Sequence, residues 1–310
     1  MRVSTFHLDE LRPLIEEHIT ITNFPEIFAS LDSDEKTKVL IAIDVCTEKR
    51  KWIDGRANLP IWSVFPPKIE EELLWRILFK AKFTAKGGNS KMAVFLPFVM
   101  TEDFAYFFGV LAGDGHIAKP KPYQRSWWTI QMCEDDLCYQ REVYIKIVKR
   151  IFGYTPKIGV NCRKDGRKNV FSRIHSFIIV IFLTKVLGIK NGYKVDSVSM
   201  PDKIRLHKDI RIRCAYIRGL FDTDGTVTGG IVKFSTVSPC LFTQTERTLK
   251  ESGIHYTKSE WLKNENSRLL YTISIPKKGL LKFNEIVGFK NFRKKEKLRQ
   301  LIAPSSSGQG

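Results

Sequence analysis

Two nine-residue stretches, Phe107 to Gly115 (FFGVLAGDG) and Ile217 to Gly225 (IRGLFDTDG), repeat one pattern 110 positions apart. They share Gly at the third and ninth places (Gly109 with Gly219, Gly115 with Gly225), Asp at the eighth (Asp114 with Asp224), and apolar residues at the first, fourth and fifth. The third and seventh places are small, Gly109 with Gly113 and Gly219 with Thr223, and lie one turn apart on a helix face. Two such faces can pack backbone to backbone, while the apolar places face the core of each half. A chain carrying this pattern twice is therefore expected to fold as two copies of one architecture that meet at the repeat.

The order of elements around each copy supports that expectation. Thr101 is a good N-cap, with Glu102 and Asp103 in the positive first turn, and predicts a helix to about Gly113. Strands are expected at His116 to Lys119 and Trp127 to Cys133, and an amphipathic helix from Leu137 to Phe152. Strands at Thr155 to Arg163 and Val170 to His175 are joined by Lys164-Asp165-Gly166-Arg167, whose Asp-Gly signals a hairpin, and a buried helix follows from Phe177 to Leu187. The second copy starts with a helix from about Lys208 to Thr223, then a hairpin turned by Gly229-Gly230 with Ile231 to Val237 as its return strand. Leu241 to Ser252 is helical, Tyr256 to Lys263 pairs with Leu269 to Ile275, and Leu280 to Val287 is helical again. Both copies read αββαββα, so the fold class is α+β with two pseudo-symmetric halves.

Ahead of them, Leu8 to His18, Asp34 to Thr47 and Ile69 to Lys82 have helical spacing, and Lys86-Gly87-Gly88-Asn89 makes a plausible boundary. Residues 1–95 are thus expected to be a mostly helical accessory domain, 96–200 and 201–302 the two halves, with a basic helix at Phe292 to Ile302, and 303–310 a disordered tail. No catalytic constellation occurs in the first domain, where His7, His18 and Cys46 read as structural residues.

Charge follows the same division. Residues 1–100 hold 14 Lys and Arg against 14 Asp and Glu, whereas residues 101–310 hold 37 against 19, so the whole excess of +18 lies with the repeat. Such an excess attracts a polyanion, and neutralising phosphates with release of counterions makes that binding salt-dependent. The six cysteines form no C-x-x-C pair and read as reduced packing residues of an intracellular protein. The apolar run near Phe177 to Leu183 is too short to span a bilayer, which points to a soluble protein without a membrane partner.

Asp114 and Asp224 fall where their helices end, near the negative pole of the dipole, and an acid there needs a compensating cation. Helices packed side by side would bring both carboxylates to the pseudo-twofold axis. Two adjacent carboxylates can share a proton or hold a hydrated Mg²⁺. In a basic chain with phosphate as the expected partner, the metal is favoured, activating water for phosphodiester hydrolysis.

Over about residues 101 to 300 the chain resembles the LAGLIDADG homing endonucleases, in their single-chain form with two motifs. The resemblance implies a monomer whose antiparallel sheets form a basic saddle over a long double-stranded DNA site. It implies that Asp114 and Asp224 bind Mg²⁺, or another divalent cation such as Mn²⁺, with Gly113 and Thr223 beside them at the metal site. The expected product is a staggered double-strand break made across the minor groove. A polar residue on the second strand of each half, Gln131 and Ser235, and a basic residue near the end of the fourth, His175 and Lys277 or Lys278, are expected close to the scissile phosphates. Histidine in place of the more usual lysine would make activity pH-dependent near neutrality.

Strand alternation nominates the side chains that face the DNA. Lys157, Asn161 and Arg163 point opposite to Ile158, Val160 and Cys162, and are joined by Thr129, Gln131, Arg173, Lys233, Ser235, Thr272 and Ser274. The same family includes RNA-binding maturases that act on structured intron RNA, and a catalytically inactive DNA-binding protein could use the same fold. Retention of both acids favours the nuclease. The chain lacks a Cys or Ser start and a terminal His-Asn pair, so residues 1–100 read as an accessory domain, free-standing or left from a host reading frame, that could extend the DNA footprint.

Overall fold

A computed structural model describes residues 6–44, 48–85, 93–118, 128–134, 136–162, 168–192, 197–262 and 268–303. The N-terminal unit contains helices α1 (Arg12–Glu16), α2 (Phe24–Ala29), α3 (Ser33–Ile43), α4 (Lys49–Ile53) and α5 (Glu71–Lys80). Asp32 starts α3 through a reciprocal cap, accepting from the Glu35 amide at 2.8 Å while the Glu35 carboxylate accepts from the Asp32 amide at 3.1 Å. The expected helices are present in shorter form. What the periodicity did not reveal is a three-stranded antiparallel sheet, β1 (Ile19–Ile21), β2 (Leu59–Pro60) and β3 (Phe83–Ala85), in the order β2-β1-β3. Strands this short offer too few residues for an alternation to register.

The first half continues with α6 (Glu102–Ala112), β4 (Gly115–Ile117), β5 (Thr129–Cys133), α7 (Leu137–Tyr139), α8 (Ile145–Phe152), β6 (Lys157–Cys162), β7 (Lys168–His175) and α9 (Phe177–Ile181). A π turn at Gln140–Tyr144 links α7 to α8, so residues 137–152 are helical throughout, and another at Phe182–Val186 extends α9. The second half comprises α10 (Asp202–Arg205), α11 (Ile210–Asp224), β8 (Thr226–Thr228), β9 (Ile231–Thr236), α12 (Pro239–Glu251), β10 (Thr257–Trp261), β11 (Leu270–Ile275) and α13 (Lys277–Ile286), followed by α14 (Phe292–Ile302). The two sheets have equivalent orders, β4-β5-β7-β6 and β8-β9-β11-β10, with every pairing antiparallel. The sequence-derived α+β duplication is therefore the observed architecture. The hairpin signal at 164–167, the boundary at 86–89 and the tail at 304–310 lie outside the described residues.

The halves join through α6 and α11. A Cβ on Gly109 would overlap the carbonyl of Tyr216, and one on Gly219 would overlap the carbonyl of Tyr106, so each helix runs directly over the other's backbone. Farther along, a Cβ on Gly113 would overlap the Thr223 hydroxyl. Around this seam the first, fourth and fifth places of both motifs are buried: Phe107, Val110 and Leu111, with Ile217, Leu220 and Phe221. The N-terminal unit packs against both halves, where Phe6 meets Phe182 with ring centroids 5.6 Å apart, Glu17 pairs with Lys185, and Glu10 pairs with Lys203 at 2.7 Å.

One polar group crosses the seam. The fully buried Asp222 accepts from the Tyr106 hydroxyl at 2.7 Å and from the amides of Lys290 and Asn291 at 3.0 Å each, and Tyr106 also meets the Tyr139 hydroxyl at 2.7 Å. Burial raises the Asp222 carboxyl to about 6, against the hydrogen bonds that favour its ionised form.

Gly109→Val is expected to lower stability by about 1–3 kcal/mol or more, read as a lower urea midpoint at unchanged slope, because the added atoms must force two backbones apart. The Asp222 shift sets a pH dependence. An acid whose folded value lies above its unfolded 3.8 contributes stability that is full below that value and lost as pH rises through about 6. The expected loss is roughly 3 kcal/mol across that window, and Asp222→Asn should flatten it in a series of denaturation curves from pH 3 to 7.

Candidate active site and nucleic-acid interface

The two motif acids stand at the end of the α6–α11 seam. Asp224 is the last residue of α11 and Asp114 lies just past the end of α6. A Cβ on Gly113 would stand 3.3 Å from the Asp224 carboxyl carbon, which places that carboxylate against the opposite motif. The Asp114 carbonyl accepts from the Cys133 amide at 3.2 Å, fixing the turn into β4. Packing of small residues thus sets the ends of both motifs against each other, with Asp224 next to Gly113.

The compensating cation comes from a residue that the sequence reading did not single out. Lys294, on α14, points its ammonium at the C-terminal end of α11 and donates to the carbonyls of Phe221, Asp222 and Thr223 at 3.2, 2.7 and 2.8 Å. The Phe221 carbonyl also accepts from the Gly225 amide at 3.0 Å, and all three lie in the last turn of the helix, at the dipole's negative pole. Burial pulls the ammonium below the usual lysine range, opposed by the attraction of Asp222, Glu134, Asp114 and Asp224. The charge run in α14 carried no sign of this role, because its basic residues occur at every face of the helix. The Thr223 carbonyl is already engaged by Lys294 and its hydroxyl bonds back to Gly219 and Leu220, so Thr223 offers a metal less than its position suggests.

Strand register defines the outer face of each sheet. In the first half His116, Gln131, Arg173 and Lys157 form one row across all four strands. In the second half the matching row, also starting two residues past the motif acid, is Thr226, Lys233, Ser274 and Thr257. Ser235, Thr272 and Ser259 form the next row. The nominated Lys157, Asn161, Gln131, Arg173, Lys233, Ser235, Thr272 and Ser274 all lie on these faces, as does Thr129 beside His175. Arg163 lies outside the described residues. His116, Thr226, Thr257 and Ser259, all in alternation with the nominated residues, lie on these faces as well, as does Trp261, 57% exposed.

The register also changes two pairings of roles. The mate of Gln131 is Lys233, while Ser235 matches Cys133. His175 ends β7, whereas Lys277 and Lys278 are exposed in the first turn of α13, beyond the end of β11, and so are not its structural equivalents. Gln131 itself is occupied: its carbonyl accepts from Arg173 Nε at 2.8 Å and its amide donates to Cys133 Sγ at 3.0 Å. His175 Nδ1 meets the buried Thr129 hydroxyl at 3.1 Å, and its backbone amide donates to the Tyr154 hydroxyl at 3.1 Å. Burial, then the charges of Arg173 and Lys157, hold the imidazole below the usual histidine range, so it is neutral at pH 7 and its titration moves away from neutrality. Of the cysteines expected to pack, Cys214 is buried but Cys138 and Cys240 are exposed.

A duplicated α+β scaffold with paired acids at its helix seam and two polar sheet faces defines the class of this protein. Residues 211–288 match the family model described as "LAGLIDADG-like domain", so the second half carries such a domain, and the first half repeats its motif and topology. Among curated proteins, the replication factor C small subunit of Methanocaldococcus jannaschii is 26% identical over 232 residues, covering 74% of this chain. The chain spans only 12% of that relative's length. Solved structures with similarity include mesophilic variants of the homing endonuclease I-DmoI, 17% identical with a TM-score of 0.46, covering 60% of this chain and 95% of theirs. The homing endonuclease I-WcaI bound to its DNA recognition sequence is 15% identical with a TM-score of 0.45, covering 64% and 87%. Among the described residues, no helix is long and apolar enough to cross a membrane.

NMR titration of the His175 ring is expected to give a midpoint below the ordinary value near 6.5, and Arg173→Ala should move it upward. A midpoint at or above that value in the unmodified protein would contradict the burial and charge arrangement described.

Proposed function

We propose that this protein is a sequence-specific DNA endonuclease that makes a staggered double-strand break by divalent-cation-dependent hydrolysis, Asp114 serving one strand and Asp224 the other. The observation that supports this reading is the Gly109–Gly219 seam, at whose end both motif acids stand between two sheets of matching topology. A DNA duplex lying across both sheet faces would meet the acid pair at its middle. The I-DmoI structure in complex with DNA and Mn, and a variant solved with its target DNA in the presence of Mg, agree with this choice of partner and ion for the present chain.

The donor set fits a hard cation. Asp114 and Asp224 supply carboxylate oxygen, with the Gly113 carbonyl nearby, and among the described residues no group of three or more His, Cys, Asp or Glu forms a closed cage. Mg²⁺ and Mn²⁺ suit such a site because they accept one or two carboxylates and fill the remaining positions with water and phosphate oxygen. When bound, the ion would lower the pKa of a water and stabilise the leaving oxygen. The protein's own groups do the rest. Lys294 offsets the helix pole that would repel the scissile phosphate, and its ammonium lies close enough to both acids to be attracted by them. Neutral His175, held through Thr129, can accept a hydrogen bond from water on the first-half sheet face. The excess of Lys and Arg in residues 101–310 supplies the phosphate contacts.

Asp114→Asn and Asp224→Asn are each expected to abolish double-strand cleavage with Mg²⁺ while retaining the duplex in a binding assay, and each should leave a nick in the strand served by the other acid. Incubation of a long randomised duplex library with Mg²⁺ or with EDTA, followed by sequencing of the ends, checks the parent activity. Salt-sensitive retention of structured RNA over duplex, with no break, would replace the nuclease by an RNA-binding role.

A further inference from the structure

The two rows next to the acids are symmetric in backbone and unlike in chemistry. His116, Gln131, Arg173 and Lys157 stand where the other half has Thr226, Lys233, Ser274 and Thr257. Within the first row one side chain is built into place. The Arg173 guanidinium carbon lies 4.1 Å from the centroid of the Phe171 ring, and its Nε is fixed by the Gln131 carbonyl at 2.8 Å. The Phe171 ring in turn occupies the space that a Cβ on Gly159 would need, so that glycine makes room for the platform under the arginine. Gln131 is itself anchored on Cys133. No carboxylate pairs with Arg173 among the described residues.

Stacking and the single bond at Nε leave the two terminal nitrogens as a fork, the geometry that meets O6 and N7 of guanine together. A lysine, or an arginine swinging from a bare strand, would give phosphate contact without this orientation. The second-half row, with hydroxyls and one lysine, offers single hydrogen bonds and methyl contacts that accept more than one base.

Resting on the DNA-binding reading above, we propose that Arg173 is a preset guanine reader in the major groove and that sequence discrimination beside the cut is concentrated in the half-site under the first sheet, the second half-site being tolerant. In the A-form of double-stranded RNA the major groove is too deep and narrow for this contact.

The test is selection of bound duplexes from a randomised DNA library in Ca²⁺ by the full chain, Arg173→Ala, Arg173→Lys and Lys233→Ala, followed by sequencing. The unmodified protein should enrich a site in which one half is more sharply defined near its centre and contains a fixed G·C pair. Replacing that pair should weaken binding about 5- to 150-fold. Arg173→Ala and Arg173→Lys should both erase preference at that pair while leaving the rest of the site enriched, and Lys233→Ala should weaken binding to all sequences alike. Equal definition of both halves, or an unchanged guanine preference in Arg173→Ala, would overturn the proposal while leaving the nuclease reading intact. Failure of the unmodified protein to retain any duplex at low salt would overturn both.

Discussion

Everything in this structure depends on the close approach of two helix backbones. Gly109 and Gly219 let α6 and α11 run against each other's carbonyls, a separation that no residue with a side chain permits. From that contact follow the burial of the apolar motif places and the approach of the Asp224 carboxylate to Gly113 of the other motif. It also concentrates negative charge. A helix C-terminus and two carboxylates gather in one place, and Lys294 answers from α14 by binding three carbonyls at once.

The duplication is a matter of backbone more than of side chains. Corresponding strands pair in the same order, yet the rows they present differ: arginine, glutamine and histidine on one side, hydroxyls and a lysine on the other. The seam is asymmetric too. Asp222 occupies the place held by Ala112 in the first motif and ties Tyr106 of one half to the segment before α14 in the other. Such a buried network favours one docking of the halves over its symmetric alternatives, because any other leaves a carboxylate without its donors.

The repeat, the element order and most of the polar sheet face were legible in the sequence because they rest on short-range periodicity. Alternation placed Lys157, Asn161 and Lys233 on the outer faces, and small residues at one-turn spacing revealed the seam. What stayed hidden depends on register or on distant contacts. Ser235 and Lys233 differ by a single alternation step, and only strand pairing decides which of them mates with Gln131. Lys294 is one basic residue in a basic helix, about 70 residues beyond the carbonyls it binds, and nothing local distinguishes it. The N-terminal sheet escaped for a different reason, since strands of two or three residues carry no readable pattern.

The late position of these partners gives the order of synthesis a consequence. A growing chain releases both motifs well before residues 290–294, so for that interval Asp222 lacks its two amide donors and the end of α11 lacks its ammonium. The acid pair is then set in an uncompensated field, and the seam has yet to acquire its last constraint. Only when α14 folds back does the helix end become electrically balanced. Folding back of α14 therefore acts as a late step in assembly, one that supplies the charge balance at the end of the helix seam.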